Sequence, residues 1–188
     1  VNAQDYVQWS NTVKSYLTVC DNGNYMRVQS GAIEGKLLVE YYSSDFEPLS
    51  TKLIDNELPI FGAFYDSGNN YYVLSGQENP KQNDSLEVFR ITKYDKNWNK
   101  IKSCGLYGAN TTVPFDAGSA RMTHSGDHLL VRTCHEMYKS SDGNNHQSNV
   151  TIEVDIPSMT ITDSYTGVMN VEYGYVSHSF NQFIKTDG

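Results

Sequence analysis

Short apolar strands separated by glycine- and aspartate-centred turns dominate the hydrophobic pattern of this chain. Three segments, residues 16–28, 63–74 and 120–131, each contain a short strand, a turn around a glycine and an apolar strand. A fourth copy begins at residue 176 and reaches its glycine at Gly188. Alternation with a period of two, bounded by Gly, Asn and Asp, is typical of strands and hairpins. Long stretches with the 3.6-residue period of a helix are absent, so the pattern predicts an all-β chain.

Two sets of turns recur along the chain at similar intervals. The glycine turns are 45, 58 and 62 residues apart, at Gly23, Gly68, Gly126 and Gly188. A second set, 50 and 60 residues apart, is centred on Asp45, Asp95 and Asp155. Asp accepts the backbone hydrogen bonds of tight turns, which explains its recurrence. Because strand repeats of this length are typical of propeller blades, the chain resembles β-propeller repeat proteins in its architecture.

The resemblance implies about three complete four-stranded blades and the start of a fourth. The blades would span residues 15–54, 62–104 and 118–164, with the next starting at 175–188 and a lead-in or partial preceding blade at 1–14. Three and a third blades cannot close a ring. Since the chain also begins at Val, we expect a fragment of something longer, or a chain that self-associates or pairs with the missing blades. A β-sandwich and a β-solenoid are the alternatives, because any all-β chain has Gly and Asp turns.

Charge and cysteine content restrict the partners and the compartment. The net charge of −8 argues against nucleic-acid backbones and anionic membranes. No apolar run approaches the roughly 20 residues of a membrane-spanning helix. The three cysteines leave at least one thiol unpaired, and Cys104 and Cys134 are the candidates for a disulfide.

Glycosylation sequons occur at Asn83, Asn110 and Asn149, about as many as the composition yields by chance. The count therefore proves nothing, although all three fall in predicted loops or at a strand start and so allow a glycoprotein. The polar, acidic composition rich in Tyr and Asn favours an extracellular or cell-surface setting.

The predicted loops between the second and third strands of each blade lengthen along the chain. The loop spans residues 30–35 in the first blade, 76–85 in the second and 135–149 in the third. In a propeller they would share one face with the crossing at 105–118, and ligands most often bind on that face. Long loops on a rigid scaffold are often functional, so we expect a ligand site there.

Imidazoles, carboxylates and an aromatic ring in the longest loop are the main candidate ligand contacts. They could bind a divalent metal, hydrogen-bond to sugar hydroxyls beside a stacking tyrosine, or only order the loop. Their spacing matches no metal signature, so we predict neither a metal nor a cofactor. The first strand of the fourth blade adds a histidine that would line the channel. The candidate set is Arg132, His135, Glu136, Tyr138, Asp142, His146, Gln147 and His178.

No catalytic motif stands out. A phosphate loop, a Gly-x-Ser-x-Gly elbow and an EF-hand loop are absent from the sequence. We therefore expect a non-enzymatic extracellular recognition module that binds a glycan or an extracellular protein. One alternative is a propeller glycoside hydrolase or lyase that uses Glu136, Asp142 or His146 as acid or base. Another is a structural subunit that assembles through open strand edges.

Overall fold

The computed structural model describes residues 11–168 and 182–186. Within them the chain forms thirteen strands and no helix, and so no helix that could span a membrane. The prediction of an all-β chain is confirmed. The strands form three separate antiparallel sheets that follow one another along the chain, and none of these sheets closes on itself in the described residues.

Each sheet is a meander in which neighbours in sequence are neighbours in space. The first sheet contains β1 (Ser15–Val19), β2 (Tyr25–Ile33), β3 (Lys36–Tyr42) and β4 (Pro48–Asp55). The second contains β5 (Ile60–Asp66), β6 (Tyr71–Gly76), β7 (Glu87–Tyr94) and β8 (Lys100–Tyr107). After the short β9 (Thr111–Pro114), the third contains β10 (Arg121–Ser125), β11 (His128–Lys139), β12 (Asn145–Asp155) and β13 (Thr160–Tyr165).

Local turn chemistry explains most of the hairpins. The first turn of each sheet places its glycine at positive φ, as at Gly68 with φ of 89°. The turn before β8 is held by Asp95, whose Oδ1 accepts from the amides of Asn97 and Asn99 at 2.8 Å each. In the first sheet the acceptor is Ser43 rather than Asp45, because its hydroxyl accepts the Asp45 amide at 3.2 Å.

Two apolar clusters hold the sheets together. The first and second sheets meet around Met26, Val39 and Trp98. The second and third meet around Leu74 and Ile152, so the second sheet is covered on both faces. The opposite face of the first sheet stays open, with apolar side chains exposed on its outer strands: Leu17, Val19, Leu49 and Leu53.

The longest predicted loop is instead a hairpin, which corrects the sequence interpretation. β11 continues to Lys139 and β12 starts at Asn145, so only the turn at 140–144 separates them. The reason is a third partner: β9 pairs with β11 on the side away from β12 near its end, at His135 and Glu136. Pairing on both sides satisfies the backbone of this segment, as a buried chain requires.

The candidate disulfide is also wrong, because all three cysteines are free thiols. Cys134 is buried and its Sγ donates to the carbonyl of Asp116 at 2.9 Å, while Cys104 lies on β8 of another sheet.

Candidate functional site

His135, the first of the predicted contacts, is enclosed inside the third sheet. Its Nε2 lies 3.1 Å from the carbonyl of Thr166 and 2.8 Å from the hydroxyl of Ser148. A carbonyl only accepts, so Nε2 carries the proton and Nδ1 accepts from the hydroxyl of Thr111 at 2.6 Å. Burial lowers the pKa of His135 to about 4, so the imidazole is neutral and ties β9, β11 and β12 together.

Glu136 and Tyr138 join the end of β11 to the segments beside it. Glu136 accepts from the hydroxyl of Thr112 at 2.6 Å. The hydroxyl of Tyr138 donates to Asp84 at 3.2 Å and accepts from Asn79 at 3.0 Å. Burial and the Asp84 carboxylate raise the pKa of Tyr138, so its hydroxyl stays protonated and anchors the loop between β6 and β7.

Asp142 and His146 form a local cluster at the hairpin turn. Asp142 accepts from the hydroxyl of Ser140 at 2.5 Å and from the amide of Asn144 at 3.0 Å, and His146 Nε2 lies 2.7 Å from its other oxygen. These hydrogen bonds hold the pKa of Asp142 well below its usual range. All of these contacts shape the turn itself.

The remaining predicted contacts point to different neighbours. Arg132 donates to Thr151 at 2.5 Å and to Gln182 at 3.2 Å. Gln147 donates to Asp116 at 3.1 Å. His178 lies outside the described residues. The predicted residues are thus spread along one hairpin, and their role in ligand binding stays a prediction.

The described residues offer no ready metal site. They contain no group of three or more His, Cys, Asp or Glu side chains placed to hold a metal ion. The imidazole of His124 bonds to the hydroxyl of Tyr65 at 2.8 Å, and that of His128 bonds to Glu153 at 2.6 Å.

A cleft that the sequence analysis did not identify lies where the first strands of all three sheets converge. We call it the three-sheet cleft. Its volume is about 300 Å³. The first strands β1, β5 and β10 form its walls together with the residue that precedes β10. The lining residues are Tyr16, Leu17, Thr18, Phe64, Tyr65, Asp66, Ala120, Arg121 and Met122.

Charge in the three-sheet cleft is concentrated on two side chains. The carboxylate of Asp66 accepts hydrogen bonds from Lys96 Nζ at 2.7 Å and from the amide of Gly68 at 2.9 Å. Its charge is therefore already neutralised by the lysine. Arg121 donates to the carbonyl of Ala120 at 2.9 Å, and no carboxylate among the described residues pairs with it. Within the part of the chain that the structure describes, the guanidinium is therefore the charge of the cleft that has no carboxylate partner.

Tyr16 supplies a hydroxyl to the same cleft. Its ring packs edge-on against Phe61 and Phe64, with centroids 6.2 and 5.8 Å away. The hydroxyl oxygen is buried, and among the described residues it has no hydrogen bond of standard geometry, although the backbone of Phe64 lies close enough to act on it. Burial raises the pKa of Tyr16 against the opposing effect of Arg121, so the phenol stays neutral.

The sequence contained one signal for this cleft. Tyr16, Tyr65 and Met122 occupy nearby places in the three repeated segments, and first strands line the channel of a propeller. The differences in predicted loop length favoured the 135–149 segment instead.

No family model and no curated protein matches the sequence. Solved structures do match its fold. A chimera of ACO and RPE65 aligns with a TM-score of 0.53 at 9% identity, over 83% of this chain and 38% of that one. Cobalt-substituted Synechocystis ACO aligns with a TM-score of 0.52 at 10% identity, over 82% and 38%. A mutant of Synechocystis apocarotenoid oxygenase (ACO) aligns with a TM-score of 0.51 at 9% identity, over 82% of this chain and 38% of that one. The chain thus spans about two fifths of the length of these structures.

These matches correct the functional expectation. The proteins that share the fold are oxygenases, not secreted carbohydrate-binding or protein-binding modules. The prediction of a recognition module for a glycan or protein is therefore wrong, whereas the extracellular or cell-surface localisation stays a prediction. The hydrolase and lyase alternatives name other reactions than the oxygenase in the name of one of these structures. Assembly through open strand edges stays a prediction.

Proposed function

We propose that this chain forms three consecutive blades of a β-propeller enzyme and that the three-sheet cleft is one wall of its small-molecule site. The observation that carries the proposal is the convergence of β1, β5 and β10 on one cleft. A propeller places the first strand of every blade around a common axis. The packing of β5 against β10, and of β8 against β13, is the relation expected of neighbouring blades.

The fold neighbours support the enzyme part of the proposal. They are oxygenases with a β-propeller fold, and this chain matches less than half of their length. A site at the axis of such a fold would be completed by further blades. The division of this chain into blades is part of the same proposal.

The lining of the three-sheet cleft favours an apolar molecule with an oxygen acceptor at one end. Phe64 and Met122 provide apolar walls, and Arg121 provides a cation without a carboxylate partner among the described residues. A guanidinium in a partly apolar cleft binds carbonyl or carboxylate oxygens strongly. An apocarotenoid, the compound class in the name of one fold neighbour, has this character.

A metal is implied for one fold neighbour by its cobalt-substituted form. The described residues of this chain contain no group suited to holding one. We therefore assign binding and orientation, and no metal-dependent step, to the side chains of the three-sheet cleft.

Titration of the protein with an apocarotenal, followed by quenching of protein fluorescence, tests this proposal. We expect Arg121→Met to weaken binding about tenfold, because a charge-assisted hydrogen bond is lost. Arg27→Met, on the open face of the first sheet, is the matched control and should bind as the unmodified protein does. Equal affinity of Arg121→Met and the unmodified protein would contradict the proposal.

A further inference from the structure

A second cleft lies at the turn end of the first and second sheets. We call it the turn cleft, and its volume is about 300 Å³. The turn between β1 and β2 forms one side, and β3, β6 and the turn before β8 form the other. Its lining residues are Cys20, Asp21, Asn22, Asn24, Tyr41, Tyr71 and Lys96. Asp66, which lines the three-sheet cleft, accepts a hydrogen bond from Lys96 of the turn cleft. It therefore lies between the two clefts.

Tyr71 is the buried polar group of the turn cleft. The residue is only 4% exposed. Its hydroxyl makes no hydrogen bond to another described residue, and its oxygen is not one of the fully enclosed polar atoms. Lys96 Nζ lies 4.3 Å from the centroid of its ring, so the lysine covers one face of the phenol. Burial raises the pKa of Tyr71, and nearby Tyr41 and Asp66 raise it further. The phenol is therefore a neutral donor in the lining of the cleft.

Two further donors face the same space. The hydroxyl of Tyr41 accepts from Trp98 Nε1 at 3.1 Å, which leaves its own proton available. Cys20 is a free thiol whose pKa burial raises, so it too carries a proton. With Tyr71, these residues give the cleft three uncharged donors, two of them on aromatic rings.

The charges around the turn cleft argue against an ionic ligand. A cation would meet Lys96, which already occupies a face of the Tyr71 ring. An anion would meet Asp21 at the rim and Asp66 behind Lys96. A neutral molecule avoids both repulsions and the cost of desolvating a charge.

We propose that the turn cleft binds a small neutral aromatic molecule whose carbonyl oxygen accepts a hydrogen bond from Tyr71. The aromatic ring would pack beside Tyr41 and the aliphatic part of Lys96. This site is separate from the three-sheet cleft and does not depend on the function proposed there.

Benzamide is a suitable probe, because it is neutral and planar and carries a carbonyl acceptor. We expect saturable shifts of the backbone amide signals of residues 20–24 and Lys96 when it is titrated into the ¹⁵N-labelled protein. Tyr71→Phe, which keeps the ring, should weaken binding about five- to tenfold. Tyr107→Phe, at an exposed tyrosine, is the matched control and should leave the affinity unchanged. Benzylammonium, a cation of similar size, should bind more weakly than benzamide.

The unmodified protein provides a second measurement, should Tyr71→Phe fold poorly. Benzamide should slow the alkylation of Cys20 by iodoacetamide several-fold, read by peptide mass, and leave the slow reaction of buried Cys134 unchanged. The proposal is overturned if the shifts do not saturate, if they centre on the three-sheet cleft, if Cys20 is not protected, or if a folded Tyr71→Phe variant binds benzamide equally well.

Discussion

At the scale of single residues, buried polar groups differ in whether folding has given them a partner. His135 and Thr133 are fully buried and hydrogen-bonded. Thr92 is fully buried as well and Ser75 is 2% exposed, but their hydroxyls have no hydrogen-bond partner among the residues that the structure describes. A buried hydroxyl without a partner costs stability, whereas a satisfied one contributes modestly.

His135 should make stability depend on pH in one interval. Its folded pKa of about 4 lies below the ordinary value of 6.5, so the unfolded chain binds a proton first as the pH falls. The contribution of the neutral imidazole to the free energy of unfolding is complete above pH 6.5 and is lost progressively as the pH falls to about 4. Within this interval the free energy of unfolding should fall with a slope approaching about 1.4 kcal/mol per pH unit. His135→Gln should remove this slope. Denaturant unfolding across the interval measures it, and identical pH profiles for both proteins would refute the assignment.

Two threonines form a matched test of buried hydroxyls. Thr92→Val should leave the free energy of unfolding unchanged or raise it, because it removes an unpartnered hydroxyl. Thr133→Val should lower it by about 1 kcal/mol, since the hydroxyl donates to the carbonyl of Ser119 at 3.3 Å. Chemical denaturation of both variants measures the difference. Equal losses would show that the two hydroxyls do not differ in this way.

The sequence identified the polar residues of the 135–149 segment but not their surroundings. Cys134 and His135 are adjacent and both buried, so alternation does not reveal which side chains face solvent there. Their partners are distant in sequence, such as Thr111 on β9 and Asp116 just after it. Periodicity within one strand carries no information about such contacts.

At the scale of elements, β9 and the residue after it hold the second and third sheets in place. Phe115 has a φ of 62°, and its buried ring lies against β5 and β6 where those strands carry glycines. A Cβ added at Gly62 would lie 2.4 Å from Phe115 Cζ, and one at Gly76 would lie 2.8 Å from Cε2. The two glycines thus make room for the ring.

Gly62→Ala should therefore destabilise the protein by about 1–3 kcal/mol, because the buried ring has little room to move. The same change in a Phe115→Leu background should cost less, since the clashing atoms are absent. Thermal or denaturant unfolding of the four proteins in this cycle gives the coupling energy. Strictly additive effects would mean that the ring and Gly62 do not restrict each other.

The hairpins were predictable from sequence where their turns are local. Gly68 and Asp95 act through residues two to four positions away, so their signal lies within a short window. The extension of β11 was not predictable, because its third partner β9 lies more than twenty residues earlier in the chain. Non-local pairing of this kind turned a predicted loop into a strand.

At the scale of the whole molecule, the three sheets differ in how they are covered. The second sheet lies between the other two, whereas the first exposes Leu17 by 60% and Val19 by 62%. The meander order of each sheet followed from sequence, since consecutive strands pair. The three-sheet cleft did not, because it depends on how separate sheets stack.

Hydrogen exchange should reveal this difference in coverage. β3 and β6 are both interior strands of their sheets, but β6 is buried along its whole length and β3 is buried only at alternate positions. Amides open with free energies that follow local burial, so β6 should exchange only through global unfolding and β3 through smaller openings. We therefore expect slower exchange in β6 than in β3 under native conditions, and faster exchange still in β4, an edge strand with mostly exposed side chains. Equal protection of β3 and β6 would mean that a partner, such as a second copy of the chain, covers the open face of the first sheet in solution.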